Sequence, residues 1–415
     1  MSLGKNTHFL IKKSWAIVLV AQVLILVGVS CNAQPEMVTQ PDTEQSTLAF
    51  NSTPTPASTT SPTPSLEPSP IPEIPQNTQT PTVNILPTQT EENSSSPFVP
   101  ILGTADKIAF VNQNEIWMSN LDGQALTQLT DDELPKSSLQ WSPDRKGVIY
   151  LSGLCINIVD IESNLIAHLA CFDQAGRLES FNLSPDGKHA AISLDGQLFV
   201  IPFDEDMLSQ ARSGEDLITM ADCETLAPYK HRISMVTVSK ARWSTDGNRL
   251  AILRQAYDAD RHVELIHLID ITRCSDPPPR LDEFPATRFE MDDYDRNPII
   301  QDFAWNGADL FALSSYKRND GFGDLWIYNT DLHRGFKANP IEGKCCYRDP
   351  VFSPDGKYLA FVFQDASLVA NGPAVLYYLP YAALESGLAY PPINLPADFF
   401  MEPRTKPQPI LRSAR

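Results

Sequence analysis

The chain has 415 residues, and its 51 acidic side chains outnumber 32 basic ones, which gives a formal net charge of -19. This balance argues against nucleic-acid binding, because neutralising phosphate groups requires an excess of basic side chains. The length suffices for one large domain or two modest ones, whereas 35 prolines are more than an ordinary folded domain contains. The positions of these prolines therefore indicate how the chain is organised.

The N-terminal segment predicts export. Lys5, Lys12 and Lys13 precede an apolar stretch that runs from Trp15 to Ser30. As a helix this stretch would span about 24 Å, which is shorter than the roughly 30 Å hydrocarbon core of a bilayer. A basic start followed by a short apolar stretch is typical of a secretory signal, so we assign residues 1–30 to a signal peptide.

Cys31 directly follows this stretch and is preceded by Val27, Gly28, Val29 and Ser30. The segment resembles the lipobox of bacterial lipoproteins. The resemblance implies that Cys31 is acylated and becomes the mature N-terminus, which would anchor the protein to the membrane by a lipid. The alternatives are an ordinary cleaved signal and an uncleaved signal anchor. All three place the rest of the chain outside the cytoplasm.

Residues 31–103 are predicted to be a disordered tether. They hold 14 of the prolines together with many Ser and Thr residues, and they contain no Lys or Arg. Proline removes backbone hydrogen-bond donors, and short polar side chains bury too little apolar area to offset chain entropy. The expected role is a semi-stiff spacer that holds a folded domain away from the membrane.

The rest of the sequence contains a repeat. Each copy has a large apolar anchor residue, a turn and an apolar run, and a third apolar strand follows. Four turns read Ser-Pro-Asp or Ser-Thr-Asp, in which Pro and Asp favour a tight turn. The anchors are Trp141, Leu183, Trp243, Trp305 and Phe352, and the turn aspartates, predicted to be structural, are Asp144, Asp186, Asp246 and Asp355. Repeated short antiparallel units of this length indicate a β-propeller.

These units resemble the WD-like repeats of TolB-type propellers. The resemblance implies an all-β, six-bladed β-propeller over residues 104–405, with residues 406–415 as a C-terminal tail. The first blade lacks an innermost strand, so closing the ring predicts that C-terminal residues supply it, with residues 398–401 as the candidate. TolB-type proteins carry an N-terminal domain that docks partners, and here the tether stands in its place. An insertion in blade three, residues 204–216, is predicted to be a short helix.

Six cysteines follow Cys31, and an even number in an exported protein favours disulfides. Cys155 and Cys171 are symmetric about the predicted hairpin loop 162–164, so they should face each other at disulfide distance. The alternative is two buried thiols. The other four cysteines, which allow three pairings, are Cys223, Cys274, Cys345 and Cys346.

The predicted ligand face consists of long loops between the second and third strands of blades four to six. They are residues 255–262, 315–324 and 364–372, together with the connection 289–297 into blade five. Long loops on a rigid scaffold often carry binding residues, and acids mixed with aromatics suit a peptide, a glycan or Ca²⁺. The candidates are Tyr257, Asp258, Asp260, Asp292, Asp293, Tyr294, Asp295, Tyr316, Asp320, Phe322 and Asp324. The alternative is that the charged residues of these loops are solvated and bind no ligand.

Two classes of function fit the sequence. The first is a non-catalytic binding or scaffolding protein, anchored in the cell envelope, that recognises a protein or a polysaccharide. The second is a carbohydrate-active hydrolase or lyase with its site in the central channel. No Gly-x-Ser-x-Gly motif or shared inward His or Glu supports catalysis, and no cofactor beyond Ca²⁺ is indicated. Two or three inward carboxylates would favour the enzyme, and an apolar or wet channel would favour binding.

Overall fold

The computed structural model describes eleven stretches of the chain. They are residues 100–230, 237–258, 261–285, 289, 299–315, 323–341, 346–365, 373–386, 389–397, 399–401 and 406–414. The predicted signal peptide, Cys31 and almost all of the predicted tether lie outside these stretches. Within them, no helix is long and apolar enough to span a membrane.

The described chain forms six antiparallel sheets of three or four strands, which are the blades of a six-bladed propeller. Strands are given from the innermost outwards. Blade one is β22 (Ile410–Ser413), β1 (Ala105–Asn112), β2 (Glu115–Asn120) and β3 (Thr127–Gln128). Blade two is β4 (Ser137–Trp141), β5 (Gly147–Ser152), β6 (Cys155–Asp160) and β7 (Ile166–Cys171). Blade three is β8 (Leu178–Leu183), β9 (His189–Leu194) and β10 (Gln197–Pro202).

The second half of the ring repeats this order. Blade four is β11 (Thr237–Trp243), β12 (Arg249–Asp258), β13 (Arg261–Asp270) and β14 (Arg280–Phe284). Blade five is β15 (Ile300–Trp305), β16 (Leu310–Ser315), β17 (Leu325–Asn329) and β18 (Arg334–Lys337). Blade six is β19 (Tyr347–Phe352), β20 (Tyr358–Phe363) and β21 (Val375–Pro380), followed by a 3₁₀ helix at Tyr381–Ala383. The predicted fold class is therefore confirmed.

The hydrophobic core consists of six clusters of buried side chains among the described residues, one between each pair of neighbouring blades. The cluster between blades two and three contains Phe172 and Phe181, and the one between blades four and five contains Phe303 and Trp326. Four further clusters join the remaining pairs, including blade six to blade one. Because apolar faces are buried only by neighbouring sheets, the ring is held together at every blade boundary.

Two short helices occupy the blade-three insertion. Helix α1 spans Glu205–Leu208 and helix α2 spans Gly214–Met220. The N-cap of α2 is Ser213, and its hydroxyl and the Asp216 carboxylate exchange hydrogen bonds with each other's backbone N–H groups. Such a capping box satisfies donors at a helix start. The sequence correctly predicted helix here, although α2 extends beyond residue 216.

The ring closes through the C-terminal segment, as predicted, but the expected residues were wrong. β22, not residues 398–401, pairs antiparallel with β1, so the predicted C-terminal tail contains the closing strand. Phe399 and Phe400 instead pack edge-to-face on Trp117 and Phe110, with ring centroids 5.3 and 5.6 Å apart. Their large apolar rings pack against blade one, and the strand that pairs with β1 follows later in the chain.

The four repeat turns share one hydrogen-bond pattern. Each aspartate Oδ1 accepts from the serine hydroxyl two residues earlier and from the backbone N–H two residues later, the latter at 3.0–3.1 Å. The serine hydroxyl in turn accepts a backbone N–H five residues later at 2.9 Å. These bonds, first among them the serine hydroxyl's, hold the pKa of Asp144, Asp186 and Asp246 below the usual value. The turn aspartates therefore build the backbone geometry of the blades.

Among the described cysteines there are two disulfides, one within blade two and one between blades three and four. Cys155 and Cys171 face each other across β6 and β7 and are bonded, which confirms the predicted pair. Cys223 is bonded to Cys274 and links the segment after α2 in blade three to the β13–β14 connection of blade four. Sequence alone left that second pairing open, because it depends on how two neighbouring blades meet. Cys346 is buried, and Cys345 lies outside the described residues.

Candidate functional site in the central channel

The innermost strands of all six blades enclose a central channel of about 540 Å³. Each of these strands in blades two to six has an irregular register against its neighbour, within the five residues before the anchor residue. Such bulges re-aim side chains. The residues three positions before the anchors all line the channel: they are Ser138, Ser180, Lys240, Asp302 and Asp349.

Opposite charges meet across the boundary between blades four and five. The Lys240 ammonium on β11 donates to the Asp302 carboxylate on β15, and each side chain is 21% exposed. Burial lowers the pKa of Lys240, and the neighbouring Arg242 acts in the same direction, while Asp302 opposes them. The pair therefore fixes both charges in the wall and ties the two blades together.

Three residues in the left-handed region of φ meet where the ring closes. Gln408, just before β22, has φ of 44°, and Ser138 and Asp349 have 52° and 49°. The Ser138 N–H donates to Gln408 Oε1 at 3.0 Å, and the Gln408 N–H donates to Asp349 Oδ2 at 3.3 Å. Gln408 thus bridges blades six and two. Burial raises the pKa of Asp349, which is 8% exposed, and the adjacent Arg348 opposes that shift.

Glu179 on β8 is the third carboxylate that lines the channel. Its Oε1 lies 3.4 Å from Nε of Arg177, and its Oε2 accepts from the Ser193 hydroxyl at 3.5 Å. Burial raises the pKa of Glu179, because a carboxylate loses hydration in the wall. With Asp302 and Asp349 this makes three inward carboxylates, the number that was expected to favour catalysis. Among the described residues all three have a partner: Asp302 pairs with Lys240, Asp349 accepts from the Gln408 backbone, and Glu179 contacts Arg177 and the Ser193 hydroxyl.

The predicted ligand face is only partly described. Residues 255–258 and 261–262 of the first predicted loop are strand: β12 and β13 pair without interruption to Asp258 opposite Arg261, with Tyr257 opposite His262. The extra residues satisfy their backbone groups by pairing with each other, which an open loop could not do. The other candidates, except Asp324, lie outside the described residues: Asp260, Asp292, Asp293, Tyr294, Asp295, Tyr316, Asp320 and Phe322.

Asp324 stands just before β17 and its carboxylate is engaged within blade five. Oδ1 accepts from Asn339 Nδ2 at 2.7 Å, and Oδ2 lies 3.4 Å from Nζ of Lys337. Its backbone carbonyl accepts from the Ser315 N–H at 3.1 Å. Asp324, predicted to bind a ligand, therefore makes hydrogen bonds that hold β17 beside its neighbouring strands.

The sequence analysis missed the channel residues, although a signal was present. Aligning the five anchors and stepping back three positions gives Ser, Ser, Lys, Asp and Asp in blade order. A single residue type shared by all blades would not reveal these positions, because the wall carries different residue types. Opposite charges at equivalent positions of neighbouring strands, as at Lys240 and Asp302, are the signal that indicates pairing across a blade boundary.

No protein-family model matches this chain, and no curated protein matches it. Solved structures similar to it include TolB from Acinetobacter baumannii, with 16% identity, a TM-score of 0.43, and 66% of this chain covering 63% of that one. A putative TolB from Agrobacterium tumefaciens shows 14% identity and a TM-score of 0.43, with 69% of this chain and 88% of that chain covered. Kuenenia stuttgartiensis hydrazine synthase shows 14% identity and a TM-score of 0.36, with coverages of 61% and 68%. The fold of this chain is assigned from its own six sheets, and the three proteins above are structures to which it is similar.

Proposed function

We propose that this protein is a non-catalytic binding or scaffolding module of the cell envelope that recognises a protein or a polysaccharide. One observation carries the proposal: the channel carboxylates of the described residues are engaged in the wall itself. Asp302 is paired with Lys240, and Asp349 accepts the backbone N–H of Gln408. A wall whose carboxylates are committed to structure presents a fixed polar surface, whereas acid–base catalysis needs groups free to exchange protons with a substrate.

The N-terminal segment supplies the location in this proposal. The signal peptide over residues 1–30 would export the chain, the lipid on Cys31 would anchor it in the membrane, and the tether would carry the propeller outwards. Treating cells with an inhibitor of lipoprotein signal cleavage should leave a larger, unprocessed chain, and Cys31→Ser should release the protein from the membrane fraction. A Cys31→Ser chain that stays with membranes as fully as the wild type contradicts the lipid anchor.

The recognition surface in this proposal is the face that carries the second-to-third-strand connections of blades four to six. In blade four the two strands that flank this connection are long, since β12 and β13 each have 10 residues while β5 and β9 have 6. Paired strands present side chains with little loss of entropy on binding. Tyr257 and Asp258 are the last two residues of β12, and Asp260 lies outside the described residues.

The test measures binding of the full chain to an immobilised panel of envelope polysaccharides and envelope proteins, with and without Ca²⁺. The loop variant carries Asp258→Ala, Asp260→Ala and Asp320→Ala, and the control carries Lys188→Ala and Lys357→Ala on the opposite, turn face. Loss of binding in the loop variant alone supports the proposal. Crosslinks of a bound partner to Asp144, Asp186, Asp246 and Asp355 would place recognition on the turn face and refute the proposed recognition surface.

A second candidate is a hydrolase or lyase, favoured by the three channel carboxylates. Glu179 is the group of interest, because burial raises its pKa and a protonated carboxyl group can act as a general acid. Incubating the full chain with acidic and neutral polysaccharides and measuring new reducing ends or unsaturated products tests this. Activity that Glu179→Gln abolishes would establish the enzyme and overturn the non-catalytic proposal.

A further inference from the structure

We propose that the central channel binds the carboxylate of an acidic saccharide through Arg242. This goes beyond the proposed function, because Arg242 lies on innermost strand β11 in the channel wall and not in the connections of blades four to six. The inference rests on two features of the described part of the wall: a guanidinium group without a hydrogen-bond partner, and buried polar atoms without partners.

Arg242 lines the channel, is half-buried, and makes no hydrogen bond or ion pair with any described residue. Its neighbour Lys240, two residues earlier on the same strand, is committed to Asp302. Guanidinium groups are rarely left without a partner in a partly dry site, and their planar set of donors matches the two oxygens of a carboxylate. The free cation in the wall thus indicates an anionic ligand with carboxylate geometry.

Arg242 lies beside a second cation that already has a partner. Lys240 and Arg242 repel each other, which contributes to the lowered pKa of Lys240. Asp302, which pairs with Lys240, makes no hydrogen bond to Arg242 among the described residues. A carboxylate bound beside Arg242 would offset this repulsion.

A second donor is available at the same level of the channel. Gln140 and Asn182 occupy the position of Arg242 on the innermost strands of blades two and three, one residue before the anchor. Gln140 Oε1 accepts from Asn182 Nδ2 at 3.1 Å and from the Leu183 N–H at 3.0 Å. The backbone donor fixes the orientation of the amide, so Nε2 is left as a buried donor with no partner among the described residues.

Two further wall groups favour hydroxyl groups on the same ligand. Ser180 Oγ and Gln301 Oε1 are buried, line the channel and have no hydrogen-bond partner among the described residues. The Ser180 hydroxyl can donate and accept a hydrogen bond, and Gln301 Oε1 can only accept one. A ligand hydroxyl group can therefore bond to either. A volume of about 540 Å³ suits a small molecule. A carboxylate surrounded by hydroxyl groups is the chemistry of a uronic acid.

The test is isothermal titration calorimetry of the full chain with D-glucuronate, D-glucose and acetate. We expect D-glucuronate to bind. D-glucose and acetate should each bind at least about tenfold more weakly, since D-glucose lacks the carboxylate and acetate lacks the hydroxyl groups. Arg242→Met should lower the D-glucuronate affinity by about tenfold or more, because bonds to a charged partner are lost. The affinity of Arg242→Lys for D-glucuronate should lie between those of the wild type and Arg242→Met, since lysine keeps the charge and loses the planar pair of guanidinium donors.

The matched control is Arg273→Met, an exposed arginine of blade four, which should bind D-glucuronate like the wild type. Wild-type protein that gives no binding heat with D-glucuronate overturns the proposal, as does Arg242→Met with unchanged affinity. Acetate that binds as tightly as D-glucuronate overturns the saccharide assignment. If Arg242→Met fails to fold, as shown by its thermal melt, unchanged affinity in Arg242→Lys is the refuting result. None of these results depends on binding at the loop face.

Discussion

Arg412 and Asp106, which are 306 residues apart in the sequence, form a two-pronged salt bridge where the ring closes. Arg412 Nε donates to Asp106 Oδ1 at 2.9 Å, and Nη2 donates to Oδ2. The same guanidinium lies 5.6 Å from the ring centroid of Trp141, so it contacts β1 of its own blade and β4 of the next. One side chain therefore joins the last strand of the ring to the first two blades.

Replacing Arg412 by Met should lower the free energy of unfolding by about 1–3 kcal/mol, because bonds to a charged partner in a mostly buried site are lost. The two side chains are only 17% and 18% exposed. Chemical denaturation measures the change, and Lys188→Met at an exposed turn pair is the matched control, with an expected change near zero. A loss in Arg412→Met no larger than in the control contradicts the closure role.

Deleting residues 406–415 should destabilise the propeller far more than deleting residues 32–95. The first deletion removes β22 and uncovers the edge of β1, which leaves backbone groups unpaired. The second removes only predicted tether. Thermal melts of both truncated chains test this, and equal melting temperatures would show that β22 adds nothing to the ring.

The predicted tether also makes a proteolysis experiment decisive. Limited digestion should cut within residues 32–103 and leave a resistant core that starts close to residue 100. In the structure Leu102 already contacts blade six, since its carbonyl accepts from the Tyr378 hydroxyl at 2.7 Å. A resistant fragment that begins before about residue 60 would contradict the prediction of a disordered spacer.

The two disulfides should contribute unequally to stability. On a chain-entropy basis, the crosslink between Cys223 and Cys274, with a sequence separation of 51, is worth about 4 kcal/mol, and the one between Cys155 and Cys171, with 16, about 3 kcal/mol. Paired Ser variants, compared by denaturant unfolding under oxidising conditions, should show the larger loss for Cys223 and Cys274. The reverse order would mean that the cross-strand pair in blade two constrains the ring more than the link between blades.

Stability in acid should depend on Glu283 in blade four. Its carboxylate accepts from the buried His267 and from Arg280 at 2.7 Å and Arg254 at 3.2 Å. The hydrogen bond from His267 leads the causes that lower its pKa to about 2, against 4.5 ordinarily. A folded-state pKa below the unfolded one means that the contribution is present above pH 4.5 and is lost as the pH falls towards 2.

The contribution of Glu283 is at most about 3 kcal/mol, from the size of that pKa difference, and less in practice because its side chain is 30% exposed. Glu283→Gln should therefore lower the melting temperature at pH 7 and flatten its dependence on pH between 4.5 and 2. Melting temperatures of both proteins across that range provide the measurement. Parallel curves for variant and wild type would exclude Glu283 as the titrating group.

The sequence was sufficient for the blades and insufficient for the channel, for physical reasons. The turn around Asp186 is a local structure whose hydrogen bonds span five residues, so its pattern is visible in the sequence. The pairing of Lys240 with Asp302 joins residues 62 apart on different blades, and no local pattern records it. The closing strand was misplaced for a related reason. Phe399 and Phe400 look like part of an apolar strand, yet they only bury aromatic surface, and the strand that pairs with β1 is the later segment β22.

The position of β22 also sets the order in which the ring can close. Strand β1 lacks its inner neighbour until residues 410–413 pair with it, so five complete blades and an incomplete blade one form an open arc with one uncovered strand edge. Until then the edge of β1 is available to any extended chain nearby, and a chain truncated before residue 410 would keep that edge exposed. Pairing of β22 therefore both closes the ring and removes an edge that favours aggregation.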